Sequence, residues 1–96
     1  MSTIFTAAKW GIIMREFMRK FMQLNGVEAR VGLSHYLFDE QAFHCDKLQM
    51  IYDDERVGLV MKKQEVFMYK QDIKTAEICD NTYTLSDGKL TIQIFV

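Results

Sequence analysis

The side chains in this chain that could act as soft ligands or nucleophiles, apart from methionine, are His35, His44, Cys45 and Cys79. No pair of them has the spacing of a zinc finger or ribbon. His44 and Cys45 are adjacent, and adjacent residues of a strand point to opposite faces. They are therefore expected to form neither a shared metal site nor a Cys–His dyad. A small buried cysteine and a surface histidine are the expected roles. Acidic residues cluster at Asp39-Glu40, Asp46 and Asp53-Asp54-Glu55. Paired carboxylates do acid–base or metal chemistry in a desolvated cleft. These fall where turns are expected, and they lack the glycine and spacing of a calcium loop. The glycines are scattered singly, so no phosphate-cradling loop is formed, and no Ser or Thr sits in a nucleophile motif. The expectation is no catalytic residue, no metal ligand and no cofactor. A small enzyme using Asp, His or Cys is an alternative, but not the favoured one.

Aromatic and basic residues suggest a different chemistry. Tyr36, Tyr52, Phe67 and Tyr69 could stack bases on a sheet. Lys62-Lys63 and Lys70/Lys74 are too few, and too mixed with acids, to track a phosphate backbone. The net charge of −1 supplies no supporting field. Nucleic acid is therefore not an expected partner. The stronger signal lies near the N-terminus. At 100° per residue, Trp10, Ile13, Met14, Phe17, Met18, Phe21 and Leu24 share one arc of a helix. Lys9, Glu16, Arg19, Lys20 and Gln23 occupy the other arc. Phe5 and Ile12 fall outside the apolar stripe and hint at a second contact surface. The candidate interaction surface is Phe5, Lys9, Ile12, Arg15, Arg19 and Lys20. Its basic back suits a protein partner or an anionic membrane surface, the membrane being the less favoured.

The elements that position these groups are one helix and a series of strands. The helix spans about residues 3–25, started by Ser2 or Thr3 and ended by Asn25-Gly26. Val27, Ala29, Val31 and Leu33 alternate as a first strand. Residues 34–41 are open between an extended strand and a short helical turn. Residues 43–52 predict a second strand, with a bulge where the alternation changes phase between Cys45 and Leu48. Val57, Leu59 and Met61 alternate next. Residues 62–65 form a turn, and Val66 to Tyr69 and Ile73 to Cys79 are strands. In residues 83–92, Asp87-Gly88 suits a two-residue hairpin turn that sets Leu85 opposite Leu90 and Tyr83 opposite Ile92.

Val66-Phe67-Met68-Tyr69-Lys70-Gln71-Asp72-Ile73-Lys74-Thr75-Ala76-Glu77-Ile78 resembles the strand pattern of bacterial pleckstrin-homology-like domains. In both, a strand, an Asp-Ile step and a second strand follow one another. The resemblance covers residues 56–96 and implies a binding scaffold. That family closes its barrel with a C-terminal helix, whereas here the helix comes first.

The fold class expected is α+β. An N-terminal amphipathic helix packs on a curved antiparallel meander or small partial barrel of five to seven strands, as one domain over residues 1–96. Its core is expected at Trp10, Met14, Phe17, Phe21, Leu24, Val31, Leu33, Leu59, Met61, Ile78, Tyr83, Leu85, Leu90 and Ile92. Composition is globular, with 49% hydrophobic and 26% charged residues. The charge is uneven. Residues 1–31 carry five basic against two acidic side chains, and residues 32–96 carry seven against eleven. Two cysteines make no disulfide framework, so a reducing cytoplasm is expected. The charges within the N-terminal segment argue against a signal peptide and against a membrane span. The functional expectation is a small non-catalytic protein-binding domain of adaptor or inhibitor type, such as a mobile element carries, with homodimerisation.

Overall fold

The computed structural model describes the backbone of residues 7–96 and the side chains of residues 11, 14–37 and 40–96. The helix α1 runs Ala7–Met22. Eight antiparallel strands follow: β1 (Ala29–His35), β2 (Phe38–Cys45), β3 (Gln49–Tyr52), β4 (Arg56–Met61), β5 (Gln64–Tyr69), β6 (Thr75–Cys79), β7 (Thr82–Ser86) and β8 (Leu90–Phe95). They form a five-stranded sheet in the order β2-β1-β8-β7-β6 and a three-stranded sheet in the order β3-β4-β5. The class is therefore α+β. The structure corrects three expectations. The last strand pairs with the first, so the chain is not a simple meander. There are eight strands where five to seven were expected, and they are divided between two sheets with their own edges, not closed into a barrel.

The register of the larger sheet explains its core. Leu33, Ile92, Leu85 and Ala76 form one cross-strand row, and Val31, Ile94, Tyr83 and Ile78 form the next. Neighbours in such rows share a face. These rows point inward, and Val31, Leu85, Ile92 and Ile94 are completely buried. The opposite face carries a row of hydroxyls, Ser34, Thr91, Ser86 and Thr75. α1 lies against β6. It brings Phe17, Met18 and Phe21 into the same cluster as Leu59 and Met61 of the smaller sheet. Phe17 stacks on Phe21 at 5.4 Å and meets Tyr83 edge-on at 6.4 Å.

Of the expected core, Trp10 lies outside the described side chains, and Met14, Leu33, Ile78, Tyr83 and Leu90 are only half-buried. Met18, Ala29, Leu48, Val57, Met68, Ile73, Ala76 and Ile94 are buried in addition. The helix stops at Met22, short of Asn25-Gly26. Its last carbonyls accept from Gln23, Leu24 and Asn25 in tighter turns, and Gly26 then takes a φ of +86°. The expected start at Ser2 or Thr3 lies outside the described residues. The end of the helix is tied to the entry of β3. Gly26 N–H donates to the Leu48 carbonyl at 2.7 Å, and Met50 N–H donates to Asn25 Oδ1 at 3.0 Å.

The expected single strand over residues 43–52 is two strands in different sheets. The phase change between Cys45 and Leu48 marks the crossing, and buried Leu48 anchors it. Residues 34–41 form a tight hairpin, with His35 paired to Phe38 around Tyr36-Leu37. At the β7–β8 hairpin the turn sits one residue later than expected. Gly88, at φ +93°, and Lys89 form the loop, and Leu85 opposes Ile92. Asp87 is used instead as an acceptor for the N–H groups of Lys89 and Leu90, at 2.9 and 2.8 Å.

The β4–β5 hairpin closes on two lysines in the left-handed region, Lys62 at φ +50° and Lys63 at φ +67°. Met61 pairs with Gln64 across them. Such a pair of positive angles is the turn for which Asn-Gly is favoured. A left-handed conformation costs a non-glycine residue about 1–2 kcal/mol, partly offset here because glycine loses more chain entropy on folding. Lys63→Gly is expected to stabilise the protein by about 0.5–1 kcal/mol and raise Tm by a few degrees. Lys62 is kept because its Nζ lies 4.8 Å over the Phe43 ring. A thermal melt in which this variant unfolds at or below the wild-type temperature would contradict the turn geometry.

Candidate functional site

The six residues expected as an interaction surface do not come together as one described patch. Phe5 lies outside the described residues, as do the side chains of Lys9 and Ile12. Arg15, Arg19 and Lys20 are exposed on α1. Arg19 forms an ion pair with Glu16 at 2.9 Å, and this hydrogen bond holds the Glu16 carboxyl below its ordinary pKa. Both partners are exposed, so the pair is a surface feature worth little. Arg15 has a different setting. With Gly11, Met14 and Met18 it forms the helix wall of a groove whose other side is Tyr52, Lys70 and Gln71. Lys70 and Gln71 also line an adjoining hollow with Tyr69, Asp54 and Glu55. The two hollows are therefore neighbours, with Lys70 and Gln71 between them.

Local structure sets this groove firmly. In the β3–β4 turn, Asp53 Oδ1 accepts from the N–H groups of Glu55 and Arg56 at 2.9 and 2.7 Å, and Arg56 Nε donates to Oδ2 at 2.9 Å. These bonds, the backbone ones first, pull the Asp53 pKa down. Asp53 is thus committed to the turn, and Asp54 and Glu55 are the acids left on the groove. Lys70 N–H donates to the Glu55 carbonyl at 2.8 Å and starts a single 3-10 turn, Lys70–Asp72. Buried Ile73 pins the end of that turn. The Lys70 ammonium sits 3.9 Å above the Tyr52 ring. Tyr52 and Tyr69 remain 44% and 46% exposed, so part of each side chain is accessible to a partner. The side of Tyr69 is held by an edge contact with Phe67 at 5.8 Å, and Arg56 caps Phe67 at 4.9 Å.

The arrangement is an aromatic and methionine-lined cleft with an acidic end, Asp54 and Glu55, and a basic end, Arg15. It offers stacking, apolar burial and charge pairing. Alternation alone sets Tyr69 outward from a strand, and Tyr52 and Tyr69 stand out as stacking side chains in the sequence. What sequence reasoning misses is that the Lys70–Asp72 turn sets Lys70 and Gln71 between Tyr52 and the helix.

The cysteines occupy separate places. Cys45 is half-buried, and burial raises its thiol pKa, which opposes thiolate chemistry. Cys79 is exposed at the end of the edge strand β6. His44 is exposed while its neighbour Cys45 packs against the core, on opposite faces of β2 as expected. No helix among the described residues is long and apolar enough to cross a membrane.

Fold and groove together define an α+β domain of one helix on two antiparallel sheets, with a cleft where the helix meets the smaller sheet. Comparison with protein-family models, curated proteins and solved structures finds no match. The resemblance of residues 66–78 to pleckstrin-homology-like domains gains no support from this. In the structure, the Asp-Ile step is where the chain leaves one sheet for the other.

Proposed function

We propose that this chain is a small non-catalytic protein-binding domain that self-associates through the cleft between α1 and the β3–β4–β5 sheet. The observation that carries the reading is that two adjoining open hollows share Lys70 and Gln71, one lined also by Tyr52, Met14 and Arg15 and the other by Tyr69, Asp54 and Glu55. Tyr, Met and Arg are enriched where protein interfaces concentrate their binding energy, and a rigidly held tyrosine loses little entropy on contact. The charge layout favours a second copy as the occupant. In a two-fold interface each residue meets its counterpart's neighbour reciprocally, so the acidic end of one groove lies on the basic end of the other. Asp54 and Glu55 would face Arg15 twice. The free thiols Cys45 and Cys79 support a reducing, cytoplasmic setting.

Sedimentation equilibrium over a wide concentration range tests this. Wild-type protein is expected as a dimer, and Arg15→Glu with Tyr69→Ser is expected to dissociate at least tenfold more readily while keeping its melting temperature. Pairing Arg15→Glu with the charge-reversed Asp54→Lys and Glu55→Lys in one chain should restore the dimer. A wild-type chain that stays monomeric at the highest concentration removes self-association.

A further inference from the structure

At the far end of the larger sheet, three potential metal ligands share one face. Ala29 pairs with Cys45 and Arg30 with His44. Continuing that antiparallel register by one step sets Glu28 directly opposite Asp46, with His44 two residues before Asp46 and so on the same side of the sheet. The side chains converge accordingly. One ligand atom from each of Glu28, His44 and Asp46 lies within 4.8 Å of the others, and all three residues are exposed. His44 stands between the two carboxylates. Its Nε2 is 3.4 Å from Glu28 Oε1, and its Nδ1 is 3.7 Å from Asp46 Oδ1.

The geometry points to a site for a divalent transition-metal ion of the zinc class, held by Glu28 and His44 with the Asp46 carboxylate as the third neighbour. A charge-assisted hydrogen bond would draw nitrogen and oxygen to about 2.7–2.9 Å. The separation here is wider. It leaves room for an ion between them: at about 2.0–2.1 Å from each atom, zinc would see them at an angle of about 110°, which is compatible with tetrahedral coordination. The ligand pair, imidazole and carboxylate, suits that class of ion. Asp46 Oδ1 lies 3.7 Å from the other ring nitrogen, beyond hydrogen-bond reach, so its carboxylate contributes negative charge beside the ring and is near enough to serve as a third ligand. Two carboxylates and a neutral imidazole carry two negative charges to set against the ion. Arg30, opposite His44, is the basic neighbour in register and is itself exposed. Water would complete the coordination, so this is an open, surface site and not a structural one.

Zinc chloride titrated into the full chain by calorimetry, with the imidazole nitrogens followed by NMR, tests the assignment. One ion per chain is expected, with a shift at His44 Nε2 and none at His35. His44→Ala and Glu28→Gln should abolish saturable binding. Asp46→Asn should weaken it about tenfold or more, because it removes one of the two negative charges set against the ion. Because all three side chains are exposed, the variants should melt as wild type does. Binding that survives His44→Ala, for example on the thiols, overturns the site. So does the absence of saturable binding up to about 1 mM zinc, a free energy of only about 4 kcal/mol.

Discussion

Gly58→Ala is expected to cost about 3–5 kcal/mol of stability and to lower the melting temperature steeply. Gly58 lies in β4, the central strand of the smaller sheet, opposite Phe67 of β5. A Cβ there would collide with the backbone oxygen of Val66 and come within 2.6 Å of Phe67 Cα and 2.9 Å of Phe67 Cβ. The obstacle is mostly backbone, so no rotamer change relieves it. The strands must separate, and the pairs Val57–Met68 and Leu59–Val66 on either side share the displacement. Val57 and Leu59 are fully buried and Met68 nearly so, which spreads the damage into the core. Overpacking alone costs about 1–3 kcal/mol. Adding the disturbed ladder brings the loss to about 3–5 kcal/mol, a large part of the 5–15 kcal/mol that holds a domain of this size. Gly11→Ala is the matched control. Nothing lies within 4 Å of a Cβ at that helical position, so alanine should gain up to about 1 kcal/mol there. Circular dichroism melts of the pair would decide it. A Gly58→Ala protein melting within a few degrees of wild type would show that β4 and β5 can part without loss.

How much of this was legible depends on which physical rule governed each element. The helix stripe could be read because its period is local: Phe17, Phe21 and Leu24 are buried as their spacing demands. The β7–β8 hairpin shows a subtler case. The Asp87-Gly88 pair suggested the wrong turn residues, because Asp87 was wanted as a side-chain acceptor. The register moved by two positions, and an even shift keeps every side chain on its face. Leu85 and Ile92 therefore remain core residues although their partners changed. Non-local facts were out of reach. Nothing in one strand's alternation reveals that β8 returns to β1, or that residues 46–48 carry the chain between sheets. The same limit hid both sites. The groove needs the helix beside Lys70, and Glu28 meets His44 and Asp46 only once the β1–β2 register is known. Among the described residues, Arg15 is the expected surface residue that lines the groove.

The second large effect concerns the helix itself. Phe21→Ala should cost about 3–5 kcal/mol, the range for emptying a buried aromatic site. Phe21 is 1% exposed, the largest completely enclosed side chain of the protein's described core. Its ring stacks on Phe17, which in turn meets Tyr83 on β7, so the deletion removes one member of a chain that joins α1 to the larger sheet. With about 4–8 °C lost per kcal/mol in a domain of this length, Tm should fall by roughly 15 °C or more. Lys20→Ala, one residue away on the exposed side, should move it by no more than about 0.5 kcal/mol. The contrast separates the two readings of the N-terminal stripe. If the stripe were kept for a partner, truncating Phe21 would weaken binding and spare the isolated chain. If it is the lid of the sheets, as its burial requires, the isolated chain suffers first, and the surface left to a partner is the cleft along Arg15 and Met14. A melt of the Phe21→Ala variant that overlays wild type would return the apolar face of α1 to the partner.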